Sequence, residues 1–221
     1  MCYNNEQQAK ARALAERYQL IMGIDSFEPK ARITISEPMA TVVASPEGRA
    51  LENKVFGFVP WFATDPKRMS ANAKSETVST NGMFRQAFAE RRCVVPSTRF
   101  FEWCGETKGN KQLFPISLSD QEIFSLAGIY DAWKDRATGE IKHTVAILTT
   151  AANSDVQPFH TREPVILPSA EDEALWLDPS TPLGELTPLM LPLPAGLLIP
   201  RVELAFKPGG PGQGLQASLF G

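Results

Sequence analysis

Short apolar runs dominate the middle of the chain, and their pattern predicts β-strands. Between residues 91 and 150 these runs are RCVVP, RFFEWC, LFPISL, IFSLAGIY and HTVAILTT. Turn residues rather than helices separate them, at Gly105, Gly109-Asn110, Asp120 and Thr138-Gly139. This spacing is typical of an antiparallel sheet or barrel. We therefore predict an α+β fold that is mainly antiparallel β, with a distorted barrel-like sheet and peripheral helices.

The first half of the chain contains both strand-like and helical patterns of apolar residues. Residues 31–45 contain two β-like runs around Glu37-Pro38, a turn follows at Pro46-Glu47-Gly48, and residues 53–60 predict another strand. Helical spacing predicts helices over residues 5–22 and 83–90. Residues 70–78 are interpreted as a loop that runs into a helix. In the second half, residues 169–177 predict a helix with Ser169 as its N-cap.

Neither an internal repeat nor a clear linker divides the 221 residues, so a single domain over residues 1–207 is expected. The tail 208–221 is rich in proline and glycine, which predicts flexibility. A hydrophobic content of 43% and a charged content of 21% are typical of a soluble globular protein. The net charge of -3 argues against a basic footprint over the whole molecule. A local basic groove remains compatible with it.

Cysteine usage indicates a reducing compartment. Cys2, Cys93 and Cys104 are an odd and sparse set, and residues 3–20 are too polar for a signal peptide. A cytoplasmic protein with free thiols is expected, associated with the nucleoid when it acts on DNA. No apolar run of membrane-spanning length occurs, so no membrane partner is expected. The cysteines lack the close pairing of zinc sites, and neither a metal nor another cofactor is predicted.

Cys2 is the first candidate for chemistry. Removal of Met1 would leave one residue with a free α-amine and a thiol on adjacent carbons. Their ordinary pKa values, about 7.7–8.0 and about 8.5, make both partly reactive near neutral pH. The amine can form a Schiff base with an aldehyde, and the thiol can then close a thiazolidine ring. The alternative is that Cys2 has no role beyond its position.

Three segments contain residues that could serve Cys2. In SANAKSETV (70–78), Asn72 can hydrogen-bond beside a reacting carbon and Lys74 can meet a phosphate, although a capped helix start is the simpler interpretation. Glu102 lies between aromatic residues on a predicted strand, where burial would raise its pKa towards a useful value. A solvated face of that strand is the alternative.

The third segment is FHTREPVIL (159–167), in which His160 lies in a loop two residues before Arg162. This context suits a general acid or base with a phosphate-binding neighbour, while a structural loop histidine is the alternative. His143 lies in a strand-like run and is interpreted as structural. Three arginines beside aromatic residues are candidates to follow a nucleic-acid backbone, namely Arg91, Arg92 and Arg99.

Together these segments resemble the SRAP family, the SOS-response-associated peptidases or abasic-site-processing proteins. Six blocks occur in family order between residue 1 and about residue 167. They are Met1-Cys2, FGFVPWF (56–62), SANAKSETV (70–78), RRCVVPSTRFFEW (91–103), AILTTAAN (146–153) and FHTREPVIL (159–167).

The resemblance implies a covalent sensor of abasic sites in single-stranded DNA. Cys2 would be the nucleophile, Asn72 would orient the sugar, Glu102 would move protons around the amine and the imine, and His160 would act on the sugar hydroxyl. The residues expected to contact DNA are Lys74, Arg85, Arg99, Arg162 and Trp61. The resemblance also implies a thiol autopeptidase that exposes the Cys2 amine, with lyase-like release of the lesion. A monomer is expected.

Several positions depart from the family pattern. The glycine–arginine pair that often follows the cysteine is Tyr3-Asn4, so one phosphate contact is expected to be missing. Lys74 replaces an arginine, Glu163 adds an acid where methionine is usual, and Phe56 replaces a tryptophan. Two other functions stay open. One is a cysteine-type peptidase or amide hydrolase that uses Cys2 and His160, and the other is a non-covalent module that binds single-stranded DNA.

Overall fold

A computed structural model describes residues 3–67, 69–105 and 112–204. Within these ranges the helices are α1 (Ala11–Tyr18), α2 (Arg85–Glu90) and α3 (Ala170–Leu177), with short 3-10 turns at Ile24–Ser26, Pro188–Met190 and Val202–Leu204. The strands are β1 (Asn4–Gln7), β2 (Leu20–Met22), β3 (Lys30–Ile33), β4 (Pro38–Ser45), β5 (Gly48–Phe56), β6 (Asn72–Lys74), β7 (Arg92–Ser97), β8 (Arg99–Cys104), β9 (Gln112–Leu118), β10 (Phe124–Lys134), β11 (Ile141–Ala151), β12 (Arg162–Pro164), β13 (Ile166–Leu167) and β14 (Leu198–Pro200).

The larger of two sheets closes on itself. Strands β11, β10, β7, β4 and β5 pair in that order, all antiparallel. A parallel pairing of β5 with β11, which sets Val55 opposite Thr144, joins the two ends into a ring. The prediction of an α+β fold with a barrel-like, mainly antiparallel sheet is therefore confirmed.

The smaller sheet has the order β14-β9-β8-β1-β3. Alternate side chains of the ring strands point to opposite faces, so the two faces contribute to different hydrophobic clusters. One cluster packs Leu14, Phe88 and Trp176 of the three helices against the ring. The other packs Phe100 and Ile116 of the smaller sheet against the opposite face. The site described below lies where these two sheets approach each other.

The helix predicted over residues 5–22 is wrong at both ends. Residues 4–7 form β1, and only Ala11–Tyr18 is helical before the chain turns into β2. The polar side chains of β1 are buried and bonded to distant backbone groups, as when Gln7 donates to the carbonyls of Ala40 and Pro96, both at 2.8 Å. These tertiary contacts override the helical spacing.

The helix start predicted at residues 70–78 is also wrong. Residues 72–74 form β6, which pairs in parallel with β11, and turns follow before α2. The strand predicted at residues 53–60 begins earlier, at Gly48, and ends at Phe56. By contrast, the Ser169 cap is confirmed, because its side chain accepts a hydrogen bond from the backbone N–H of Asp172. No helix within the described ranges has the length and apolar character needed to cross a membrane.

Candidate functional site

Glu102 lies in the interior of the smaller sheet. Its residue is only 1% exposed, and its backbone pairs with Phe114 of β9. The alternative of a solvated strand face is therefore wrong. Burial raises the pKa of Glu102 to about 7, because a carboxylate loses hydration in apolar surroundings. A carboxyl group with this pKa can both accept and donate a proton near neutral pH.

Strand β1 brings the beginning of the described chain next to Glu102. Asn4 pairs with Phe101 and Asn5 pairs with Phe100, so β1 runs antiparallel along β8. Tyr3, the first described residue, is 38% exposed. Cys2 lies outside the described residues. Its near neighbour Asn4 is nevertheless fixed beside the residue that precedes Glu102.

Asn72 presents a buried amide in β6. The residue is 8% exposed, and neither its Nδ2 nor its Oδ1 has a hydrogen-bond partner among the described residues. A buried amide without a hydrogen-bond partner costs about 1–3 kcal/mol of stability. Buried polar side chains in native proteins are therefore usually hydrogen-bonded, and an exception often marks a ligand site. Asn72 lies inside a strand and caps no helix, which removes the structural alternative.

His160 is half-buried in the loop before β12, and its orientation is fixed by Arg162. The backbone N–H of Arg162 donates to Nδ1 of His160 at 2.9 Å. Nδ1 also lies 3.1 Å from the carbonyl oxygen of Arg162, to which it donates in the other tautomer, so the backbone of Arg162 fixes the ring orientation in either neutral tautomer. Burial lowers the pKa of His160, which favours the neutral form at pH 7.

Two sets of contacts relate the strands and the loop that carry these three residues. Asn72 pairs with Ile147, and Arg162 pairs with Ala151 four residues further along the same strand. The loop before β12 also contacts the smaller sheet, because the Phe159 ring lies 5.0 Å from the ring of Phe114. Since Phe114 is the backbone partner of Glu102, the loop of His160 borders the strand of Glu102.

The predicted DNA-contacting residues occupy three places. Lys74 is exposed at the end of β6, near Arg162. The guanidinium of Arg162 forms a two-pronged ion pair with Glu76, at 2.6 and 2.9 Å, and also donates to the Thr149 carbonyl. Any phosphate that binds Arg162 must therefore share it with Glu76.

Trp61 and Arg85 lie together near α2. Trp61 is 56% exposed and its Nε1 donates to Gln86, while Arg85 is exposed at the first position of α2. Arg99 lies on the face of β8 opposite to Glu102 and pairs with Glu6 at 3.4 Å. The cleft of about 550 Å³ that contains Arg99 includes none of the residues Asn72, Glu102 and His160.

Arg91 and Arg92 serve the fold. The buried guanidinium of Arg92 donates to four backbone carbonyls at the ends of α2 and α3, those of Phe88, Ala89, Trp176 and Asp178. Arg91 forms ion pairs with Glu90 and Asp131. Their proposed role along a nucleic-acid backbone does not fit these contacts, which already engage both side chains.

Glu163 has a structural role that its sequence position did not reveal. The residue is 1% exposed, and its carboxylate accepts the backbone N–H groups of Asn153 at 2.8 Å and Leu193 at 3.1 Å. Alternation along β12 directs it away from Arg162. It therefore anchors two loops and adds no acid to the surface where Lys74 lies.

Sequence reasoning missed Glu76 and Arg32. Glu76 is the partner of Arg162, and Arg32 of β3 donates from Nε to Oδ1 of Asn4 at 2.8 Å. Residues 3–67, 69–105 and 112–204 contain no group of three His, Cys, Asp or Glu side chains arranged to hold a metal ion.

Comparison with known protein families identifies the family to which this chain belongs. The family model described as SOS response associated peptidase (SRAP) matches residues 1–204. The chain belongs to the SRAP family. The resemblance derived from the sequence blocks is confirmed.

Named SRAP relatives agree with this assignment. The chain is 30% identical over 155 residues to abasic site processing protein YoqW of Bacillus subtilis, which covers 69% of this chain and 68% of the relative. It is 32% identical over 154 residues to abasic site processing protein HMCES of Gallus gallus, covering 59% of this chain and 46% of the relative. A crystal structure of a Bacteroides thetaiotaomicron protein is similar with a TM-score of 0.79, at 29% identity over 90% of each chain.

Proposed function

We propose that this SRAP protein captures abasic sites in single-stranded DNA through a covalent bond to Cys2. Relatives named abasic site processing proteins support the substrate class. The observation that carries the proposal is the pairing of Asn4 with Phe101, because it fixes the chain two residues after Cys2 beside a buried carboxyl group with a pKa of about 7.

The proposed reaction uses both nucleophiles of Cys2. Removal of the residue before Cys2, by the family's autopeptidase activity, exposes the α-amine. The amine nitrogen attacks the aldehyde carbon of the ring-opened sugar, and the resulting carbinolamine loses water to give an imine. The thiol sulfur then adds to the imine carbon while its proton goes to the nitrogen. The product is a thiazolidine, and the net change is the loss of one water molecule.

Glu102 supplies the proton transfers in this scheme. As a carboxylate it accepts a proton from the α-ammonium group, and as a carboxylic acid it protonates the departing hydroxyl of the carbinolamine. A pKa of about 7 populates both forms at neutral pH. Glu102 is thus proposed to act twice in one cycle without a second acid.

Asn72 and His160 are proposed to act on the sugar. The buried amide of Asn72 has no protein partner among the described residues, and it would bind the sugar oxygen and the new ring nitrogen. The neutral His160 ring would use Nε2 towards the sugar hydroxyl, which assists opening of the sugar ring and reversal of the cross-link.

Phosphate contacts are proposed for the remaining cations. Lys74 is exposed beside the site and would meet one phosphate directly. Arg162 would meet a second while it shares its charge with Glu76. Arg85, Arg99 and Trp61 lie further along the surface and would guide the strand, with Trp61 stacking on a base. The protein is proposed to act as a monomer built from one domain.

The proposal is tested with a single-stranded oligonucleotide that carries one abasic site. Wild-type protein should form an adduct that survives denaturing electrophoresis, and Cys2→Ala should form none that is stable without reduction. Cys104→Ser, which removes a partly exposed thiol of the described chain, should keep the adduct. Cleavage of peptides without DNA would instead support a hydrolase, and salt-sensitive binding that never becomes covalent would support a simple DNA-binding module.

A further inference from the structure

Strand β6, which carries Asn72, is short and has little support from other strands. It contains only three residues, and among the described strands it pairs with β11 alone. The amide of Asn72 has no hydrogen-bond partner among the described residues. No hydrogen bond therefore fixes this amide, and its place depends on how firmly the backbone of β6 is held against β11.

A cluster of polar contacts closes directly after β6. The backbone N–H of Ser75 donates to the Thr149 carbonyl at 2.9 Å, and the Arg162 guanidinium donates to the same oxygen. The two Nη groups of that guanidinium also donate to both carboxylate oxygens of Glu76, at 2.6 and 2.9 Å. Segments far apart in sequence therefore meet where β6 ends.

The Arg162 side chain crosses β11 to reach this cluster. Thr149 of β11 pairs with β6 on one edge of the strand and with β12 on the other. Arg162 belongs to β12, whereas Glu76 follows β6. The ion pair between them therefore spans β11 and joins the segment that carries Asn72 to the segment that follows His160.

The geometry of this ion pair suits positioning better than stabilisation. The side chain of Glu76 is 51% exposed and that of Arg162 is 16% exposed. A pair with one half-exposed member adds little to the free energy of unfolding, because water screens the charges and ordering the side chains costs entropy. Its two parallel hydrogen bonds nevertheless fix both the separation and the plane of the two groups.

The ion pair persists across the pH range of the proposed reaction. The hydrogen bond from Arg162 lowers the pKa of Glu76 below its ordinary value of 4.5, against a smaller opposing effect of burial. Glu76 is therefore ionised throughout the neutral range, in which Glu102 titrates. An effect that acts through Glu76 should not depend on pH there.

We propose that Glu76 is a positioning residue, which holds Arg162 across β11 and thereby keeps β6 where Asn72 meets the sugar. The inference rests on the proposed function, because it takes Asn72 as a sugar contact. Glu76 touches neither the DNA nor the reacting atoms in this scheme. Loss of its carboxylate should therefore lower the reaction rate more than it changes folding or binding.

Single-turnover cross-linking of an abasic single strand tests this role. Glu76→Gln keeps the size of the side chain but loses the charge and one acceptor oxygen. The maximal rate at saturating protein should fall roughly tenfold, because a misplaced group loses much of its effect. The protein concentration at half-maximal rate should stay within about twofold of wild type. The loss should be the same between about pH 6 and pH 8, unlike that of Glu102→Gln.

Two further variants make the test specific. Glu16→Gln removes the same charge from an exposed ion pair with Arg12 in α1, so it should change neither kinetic parameter. In an Asn72→Ala background, Glu76→Gln should lower the rate by no more than about twofold, since it acts through Asn72. The midpoint of thermal unfolding of Glu76→Gln should move by no more than about 4 °C.

Hydrogen exchange in the unreacted protein examines the ion pair apart from the chemistry. The N–H of Ser75, which is bonded to Thr149, should exchange several-fold faster in Glu76→Gln than in wild type, because the end of β6 opens more often. The N–H of Ala127, which is bonded to the Val165 carbonyl, is the control and should not change.

The possible failures are distinguishable. An unchanged maximal rate with a lower half-saturating concentration would mean that Glu76 only screens Arg162, and it would overturn the positioning role. Wild-type exchange of the Ser75 N–H in Glu76→Gln, or full additivity with Asn72→Ala, would also overturn it. Each of these results leaves the proposed function standing when the wild-type protein cross-links. A wild-type protein that forms no adduct would overturn both proposals.

Discussion

Two equally buried carboxyl groups in this protein have very different surroundings. Glu173 of α3 is 0% exposed and accepts hydrogen bonds from Arg17 at 2.6 and 3.2 Å, from Arg49 at 3.3 Å and from Ser125 at 2.6 Å. Glu102 is 1% exposed among aromatic residues, and burial raises its pKa to about 7.

The difference separates a structural carboxylate from the carboxyl group that we propose for proton transfer. Glu173 joins α1, α3 and the ring strands through two cations, and its negative charge is compensated on both oxygens. At Glu102 the cost of burial exceeds the favourable contacts of the ionised form, and the group titrates near neutral pH. The amide of Asn72, which has no hydrogen-bond partner among the described residues, is a second observation that supports the proposed site.

The largest expected effect is a loss of stability when the structural carboxylate of Glu173 is removed. Glu173→Ala leaves Arg17 and Arg49 partly buried without their anion, so it should lower the free energy of unfolding by about 3–5 kcal/mol. Urea unfolding measures this loss. Glu16→Ala, which removes the exposed partner of Arg12, should cost under about 1 kcal/mol. A loss at Glu173 no larger than that of Glu16→Ala would contradict the comparison.

Glu102→Gln should have the opposite effect on stability. A carboxyl group whose pKa is raised on folding from 4.5 to about 7 contributes stability at low pH, and this contribution is lost as the pH rises through that window. The variant should therefore gain on the order of 2–3 kcal/mol over wild type near pH 8 and nothing near pH 4.

Cross-linking by Glu102→Gln should fall at the same time, since the amide neither accepts nor donates the required protons. Rates between about pH 6 and pH 8 check this, because the wild-type profile should contain a titration near 7 that the variant lacks. A stability difference between Glu102→Gln and wild type that does not change with pH would show that burial does not raise the pKa of Glu102.

Asn72→Ala should separate function from stability most cleanly. Its amide has no partner among the described residues, so stability should change by no more than about 1 kcal/mol while the cross-linking rate falls roughly tenfold or more. Asn153→Ala is the matched control, because Asn153 bonds to Leu193 and Val156. That variant should lose about 1–2 kcal/mol of stability and keep its rate when folded. The reverse pattern would assign Asn72 to the fold.

Much of the fold follows from local patterns. The alternating runs predict β4 and β7 to β11, and the Ser169 cap predicts α3, because these signals lie within a few residues. The errors at residues 5–22 and 70–78 share a cause. There, polar or small residues join a sheet through partners far along the chain, such as Gln7 with Pro96. No local periodicity contains that information.

The candidate site was predictable in its chemistry and unpredictable in its supporting contacts. Burying a carboxylate among aromatic residues costs free energy unless the charge is compensated, and this made Glu102 a candidate from the sequence. The structure shows that Glu102 is buried. The bond from Arg32 to Asn4 spans 28 positions, and the ion pair of Arg162 with Glu76 spans 86. Such pairs depend on the tertiary arrangement of strands, so only the structure could reveal them.

The most direct test of the central claim is the intact mass of the product formed with abasic single-stranded DNA, followed by mapping of the modified peptide. We predict a mass equal to the protein beginning at Cys2 plus the oligonucleotide, less one water, with the modification on the peptide that begins at Cys2. An adduct on any other residue, or an unmodified protein that keeps Met1 after incubation, would contradict the account.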